Sequence, residues 1–285
     1  MIYYKTAEEI KILQEGGEIL AGILDELCQM VKVNTSTLDL EKRALELMSQ
    51  VGARPAFKDY AMGDGIFFPS ALCVSVNNEV VHGSSLPERI LRAGDIVSLD
   101  IGMEWPVQSE EEARANNRPY NKHSKFGGFF TDTCRTIAVG KISSEAKKLL
   151  RVTQEALEIG IKQALPGKTI NDIGQAIERY VVKHGFSVVE DLVGHGVGYF
   201  THEKPHVFNY EIGEDDGDNF VLRPGMVIAI EPMVNVGRFA VKMAKNKYTI
   251  LTADSSLSAH FEHSIAILDQ GNLVLTRKKN GRDEN

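Results

Sequence analysis

The chain has 285 residues, 43% of them hydrophobic and 25% charged, an ordinary globular composition with enough length to bury a substantial core as one large domain or two half-domains. A net charge of −7 opposes tight binding to nucleic acid or to an anionic membrane surface, so neither is expected as a partner. The charged N-terminus MIYYKTAEEIKILQEGG excludes a secretion signal, no apolar run reaches membrane-spanning length, and the scattered Cys28, Cys73 and Cys134 read as reduced thiols, so a soluble cytoplasmic protein is expected.

In chain order, Thr6 followed by Glu9 has the pattern of a capping box, and apolar residues at Ile10, Leu13, Leu20, Leu24, Leu27 and Val31 predict a helix to about residue 31. A second helix follows Thr37, with Leu40, Ala44, Leu47 and Val51 on one face and Gly52 as its stop. The same order returns after residue 143: Ser143 and Ser144 open a helix ended by Pro166 and Gly167, and Thr169 opens another closed by Gly185. Thr37, Leu38, Ala44, Leu45 and Glu46 match Thr169, Ile170, Ala176, Ile177 and Glu178, each 132 positions further on. RAGDIVSLD ending at Asp100 matches RPGMVIAIE ending at Glu231 at an offset of 131, and Asp132 and Glu262, which enter TIAV and SIAI, lie 130 apart. The spacing therefore predicts two similar halves, about 1–140 and 141–285, each a helix pair with strands, packed into a single α/β domain with a pseudo-twofold relation and the acids at equivalent strand ends.

Asp100 and Glu231 terminate runs that should be buried, where an unpaired carboxylate costs several kcal/mol. A buried ion pair with a distant arginine would answer that cost, but four acids converging from matched halves suit two divalent cations better. Oxygen ligands with one imidazole fit cobalt, manganese, iron or zinc. The imidazole is sought in GHGVGYFTHEKPH, where glycines flank His195 and let the backbone come close, and where His202 follows. The remaining histidines, among them His123 and His260, read as ordinary core or surface residues.

These segments resemble the type I methionine aminopeptidases of the pita-bread fold over nearly the whole chain, through CVSVNNEVVHG, GDIVSLD, FTDTCRT, GHGVG, THEKP, IEPMVN and SAHFEH. The resemblance implies a central curved antiparallel sheet flanked by helices, and a two-metal hydrolase that removes the initiator methionine ahead of a small second residue. It implies that Asp100 chelates one metal, that Asp132 and Glu262 bridge both, and that His195 with Glu231 completes the second. It further implies that His202 donates to the substrate carbonyl, that His82 meets the scissile nitrogen or the developing amine, and that Glu231 shuttles a proton. Partners would be peptide or nascent-chain N-termini, met at the ribosome by a monomeric enzyme. Phe57, Tyr60, Phe67 and Phe68 are candidates for the methionine pocket. Thr201 stands where the family usually has an aromatic residue and Tyr248 where a tryptophan is common, so both are counted with the pocket.

Residues 103–128, MEWPVQSEEEARANNRPYNKHSKFGG, stand between Asp100 and Asp132 where the family usually has a short hairpin. They have no clear period and read as a charged, solvated hairpin extension, with a role toward a partner or in substrate gating as the sharper alternative. Prolidase and aminopeptidase P share the fold and the ligand set. Glu231 followed by PMVN and Glu262 within SAHFEHS nevertheless resemble the methionine enzymes. A metal-free binding protein of the same fold is the remaining alternative, and the presence of all five ligands argues against it.

Overall fold

The computed structural model describes residues 1–278, with helices α1 (Ala7–Met30), α2 (Thr37–Gln50), α3 (Glu110–Ala115), α4 (Ser144–Gln163) and α5 (Ile170–Lys183). All but α3 stand where the apolar periodicity predicts. Thr6 caps α1, accepting from Glu9 N at 3.2 Å while the Glu9 carboxylate accepts from Thr6 N at 2.8 Å. The α2 cap is Ser36 rather than Thr37, because the Thr37 hydroxyl is used elsewhere and donates to the Ser85 carbonyl at 2.7 Å. Ser143 and Thr169 cap α4 and α5.

Among the described residues, the main sheet is antiparallel throughout and has nine strands. Its order is Arg54–Pro55, Ile96–Trp105, Phe129–Ala138, Glu262–Ile267, Val227–Ile230, Gly194–Gly196 and Glu203–Val207. Leu72–Val76 also pairs with Ile96–Trp105, and Asn272–Val274 with Glu262–Ile267. The halves meet where Phe129–Ala138 pairs with Glu262–Ile267. Each half has its own core. Val97, Leu99, Ile101 and Met103 pack with Leu20, Leu24, Leu27 and Leu40 from α1 and α2, whereas Ile228, Ile230, Ile265 and Ile267 pack with Leu149, Val152, Ile173 and Ile177 from α4 and α5. Because successive strand residues point to opposite faces, covering the odd-numbered positions 97–103 with helices turns Asp100 to the other face. No helix of the described residues is long and apolar enough to cross a membrane.

Two expectations need correction. Asp100 and Asp132 lie inside ten-residue strands rather than at strand ends, since Ile96–Trp105 and Phe129–Ala138 stay paired as far as Trp105 opposite Phe129. Only Glu231 and Glu262 sit at strand ends. The insertion, besides, is a built structure and not merely solvated chain. It leaves the sheet after Trp105, forms α3 with a Ser109–Glu112 capping box, and returns at Phe129. Gln108, Ala113 and Asn121 within it are buried, and Asn121 Nδ2 donates to the carbonyls of Gly128 and Tyr199 at 2.7 and 2.9 Å.

Glu41 ties the first helix pair to the sheet. Its buried carboxylate accepts from Ala71 N at 2.8 Å, Leu72 N at 3.0 Å and the Ser85 hydroxyl at 2.8 Å. Glu41→Ala leaves two buried N–H groups without an acceptor and is expected to cost about 3 kcal/mol in urea unfolding. A loss below about 1 kcal/mol would show that these donors find other partners.

Candidate metal centre

The sheet register sets a row of side chains on the face away from the helices. Cys73 lies opposite Asp100, Asp100 opposite Cys134, and Cys134 opposite Glu262, while Asp132 shares that face two residues before Cys134. Glu231 follows the strand Val227–Ile230, whose last residue is opposite His263, and so lies across from Glu262. His195 enters from the neighbouring strand Gly194–Gly196. The flanking glycines admit this strand between its neighbours: a Cβ on Gly194 would sit 2.4 Å from the Ala229 carbonyl oxygen, and one on Gly196 2.5 Å from that of Lys204.

His195 Nδ1 must donate its proton to the Gly196 carbonyl at 2.9 Å, which leaves the Nε2 lone pair free. That Nε2 stands 3.5 Å from Asp132 Oδ2 and 3.4 Å from Glu231 Oε1. One donor atom each from Asp132, His195 and Glu262 lies within 4.8 Å of the others, all three residues being buried. Asp132 is held by Ser264, whose hydroxyl donates to Oδ1 at 2.9 Å. Asp100 Oδ1 is buried with no hydrogen-bond partner. An unpaired carboxylate oxygen, a presented imidazole nitrogen and several acids in one basin are a donor set that fits a divalent cation.

Burial raises the pKa of each of these acids, and neighbouring carboxylates add to the rise for Asp100, Glu231 and Glu262, whereas for Asp132 His195 and the Ser264 hydrogen bond oppose it. Asp100 is pushed up to about 7, with His260 opposing the shift, and Glu231 to about 8, with His195 opposing it. For Glu262 the direction is the same, and Asp132, Glu231 and Asp100 all contribute. His260, read from sequence as an ordinary residue, is buried with Nε2 3.4 Å from Glu231 Oε2. It stands two residues before Glu262, and Met233 two after Glu231. A period-2 reading outward from the acids would have found both.

These groups floor a cavity of about 530 Å³. Phe57, Tyr60, Met62, Phe68, Val81, Leu192 and Met233 wall it, and His82 and His202 reach it. His82 holds φ +56°, a left-handed conformation uncommon for a residue with a side chain, and its carbonyl accepts from Thr249 Oγ1 at 2.9 Å. Burial, then the neighbouring His260, lowers its pKa to about 4. The His202 ring lies 4.4 Å from that of His195, and its Nδ1 is 2.9 Å from the Tyr60 hydroxyl. Desolvation, then the nearby His195 and His82, lowers its pKa. The loop before it is fixed by Glu203, which accepts from Tyr199 N and Phe200 N and pairs with the buried Lys5 ammonium at 2.5 Å. Thr201 and Tyr248 do not line this cavity: Thr201 faces an adjoining pocket, and Tyr248 stands behind Phe68 at a ring distance of 5.5 Å. Phe67 is turned outward, 57% exposed.

Residues 11–108 and 123–269 match the description Metallopeptidase family M24. The chain belongs to this family, whose name implies use of a metal, and the unmatched 109–122 fall inside the insertion. It is 41% identical to methionine aminopeptidase 1 of Bacillus subtilis over 97% of this chain and 100% of that one. A methionine aminopeptidase crystal structure from Thermotoga maritima matches with a TM-score of 0.84 at 37% identity, covering 98% of this chain and 100% of that one. One from streptococci matches at 0.86 and 32%, covering all of both chains. The prolidase of Pyrococcus furiosus, at 21% identity and a TM-score of 0.67 over 97% of this chain and 66% of that one, speaks for the fold alone.

The raised acids set a pH dependence. A carboxyl whose folded pKa exceeds its unfolded value favours the fold while protonated, and that contribution is lost as pH rises through the folded value. With Glu231 moved from 4.5 to about 8 and Asp100 from 3.8 to about 7, chelator-treated protein is expected to lose thermal stability between about pH 4 and 8. The rise in melting temperature on adding manganese should grow across that window; a rise equal at pH 5.5 and 8.5 would show that these acids do not take up the ion.

Proposed function

We propose that this protein removes N-terminal methionine from polypeptides with a small second residue, by hydrolysis at two divalent ions held by Asp100, Asp132, His195, Glu231 and Glu262. The observation that carries it is the basin itself, where those five side chains converge beside a cavity walled by Phe57, Met62, Phe68 and Leu192. The likeness to methionine aminopeptidases over 97% of the chain supports the choice of substrate. The apolar wall suits an unbranched thioether, and ions bound in the basin beside it would take the free amine of a chain end. Divalent ions bound there would supply Lewis acidity to the scissile carbonyl and to an attacking water.

The protein's own groups carry the protons. Glu231, raised to about 8, can accept a proton from the nucleophile and return it to the leaving amine near neutral pH. His202, kept neutral and hydrogen-bonded to Tyr60, would donate to the substrate carbonyl, and His82 would contact the departing nitrogen. Cobalt, manganese, iron or zinc would satisfy the donor set, and the substrates would be new chains met at the ribosome by a monomer in the cytoplasm.

Metal-stripped protein re-supplied with cobalt, manganese or iron(II) is expected to release methionine from Met-Gly and Met-Ala peptides and to spare Met-Lys. Faster cleavage of Ala-Pro than of Met-Gly would replace this reading with a proline-directed one. His202→Ala should lower kcat/KM by about 10²- to 10⁴-fold, as measured with a Met-Gly peptide. Elemental analysis of Asp132→Asn should find fewer than two ions per chain, and two retained ions would remove Asp132 from the ligand set.

A further inference from the structure

The insertion does more than cap a hairpin. Together with the loop before His202 it borders a second, open pocket of about 380 Å³, and Tyr60 and His202 line both this pocket and the metal basin. The hydrogen-bonded Tyr60–His202 pair is thus the partition between them. On the far side stand Phe126, Lys125 and Ser124 from the insertion and Phe200 from the loop.

The charges on the two sides differ in sign. Asp100, Asp132, Asp191, Glu231 and Glu262 line the basin, where Glu203 is paired with Lys5 and the lining Lys204 with Asp218. In the second pocket the one carboxylate is Glu104, and its oxygens are already taken: Arg54 donates at 2.6 Å, Gly128 N at 3.2 Å, and the Ser124 hydroxyl donates as well. The Arg54 guanidinium is held in turn 3.6 Å over the Phe126 ring. Lys125 lies 5.3 Å from the same ring and, among the described residues, makes no ion pair. Its ammonium is the unbalanced charge of the pocket, in a chain whose net charge is −7.

We infer that this pocket is a subsite for the third and fourth residues of the peptide substrate, and that it favours an acidic side chain there over a basic one. The inference rests on the aminopeptidase reading, in which the scissile carbonyl lies against His202. An extended chain advances about 3.3–3.6 Å per residue, so these residues stand roughly 7–10 Å beyond that bond, on the far side of the partition. A substrate whose amino end is held in the metal basin and whose third or fourth residue carries a carboxylate meets complementary charge at Lys125. Phe126 and Phe200 add apolar surface for the stem of the side chain.

The test compares C-terminally amidated Met-Gly-Ala-Glu-Ala with Met-Gly-Ala-Lys-Ala, and Met-Gly-Glu-Ala-Ala with Met-Gly-Lys-Ala-Ala, each rate taken relative to Met-Gly amide cleaved by the same preparation. The manganese-loaded protein should prefer a glutamate peptide over its lysine partner by about 1.5- to 5-fold in kcat/KM at low salt, the range an exposed charge pair gives. Lys125→Glu should invert the preference, and raised salt should flatten it in both proteins. Equal rates for the paired peptides, or a preference that Lys125→Glu leaves in place, would overturn the subsite while cleavage of Met-Gly amide kept the aminopeptidase reading intact. Failure to cleave even Met-Gly amide would overturn both.

Discussion

Four carboxyls and one imidazole buried in a single basin are the constraint around which this chain is organised. Asp100, Asp132, Glu231 and Glu262 are each less than one-tenth exposed, and the imidazole nitrogens of His195 and His260 lie 3.4–3.5 Å from Asp132 and Glu231 oxygens. Desolvation and mutual repulsion both work against their ionised forms, so near neutral pH the basin holds protons or another positive charge. The fold meets this cost elsewhere. Two separate apolar cores lie on the helix-covered face of the sheet, where burying each large aliphatic side chain contributes about 1.5–3 kcal/mol.

Precision in the basin comes from backbone pairing rather than from the acids themselves. Asp100, Cys134 and Glu262 lie in one register row across the junction of the halves, so a slip of one residue would turn the acids away from one another. Outer partners then fix rotamers and tautomers. Ser264 holds Asp132, the Gly196 carbonyl sets His195, and Tyr60 orients His202. Glu203 repeats the pattern one layer further out, since the Lys5 ammonium neutralises it and two backbone N–H groups of the His202 loop donate to it.

Much of this was legible in the amino-acid sequence, because the signals were local or repeated. Helix periodicity placed α1, α2, α4 and α5, and the offsets of 130–132 between matched residues exposed the duplication that brings two acids from each half to one face. What escaped depended on tertiary context. Nothing within VSLD shows that its strand runs on to Trp105, for the insertion that follows is polar and the pairing comes from Phe129–Ala138. Thr201 and Tyr248 were assigned to the pocket by analogy of position, yet the backbone turns the first toward the neighbouring pocket and sets the second behind Phe68. The Ser109–Glu112 capping box was readable and went unread because a helix of six residues has too few positions to show a period.

The insertion shows how a long excursion can be added between two site acids without disturbing either. The pairing of the two strands runs unbroken from Ile96 opposite Ala138 to Trp105 opposite Phe129, so both Asp100 and Asp132 lie inside it, short of the point where the chain departs, and the register sets their geometry before the insertion begins. The entropy of closing a longer loop grows only slowly with its length, and this one offsets part of it by making its own contacts. Asn121 satisfies carbonyls of Gly128 and of the His202 loop, and Glu104 is screened by Arg54 and Ser124. The excursion is therefore anchored at its base to the sheet and along its side, through Asn121 and the Tyr199 carbonyl, to the loop that carries His202.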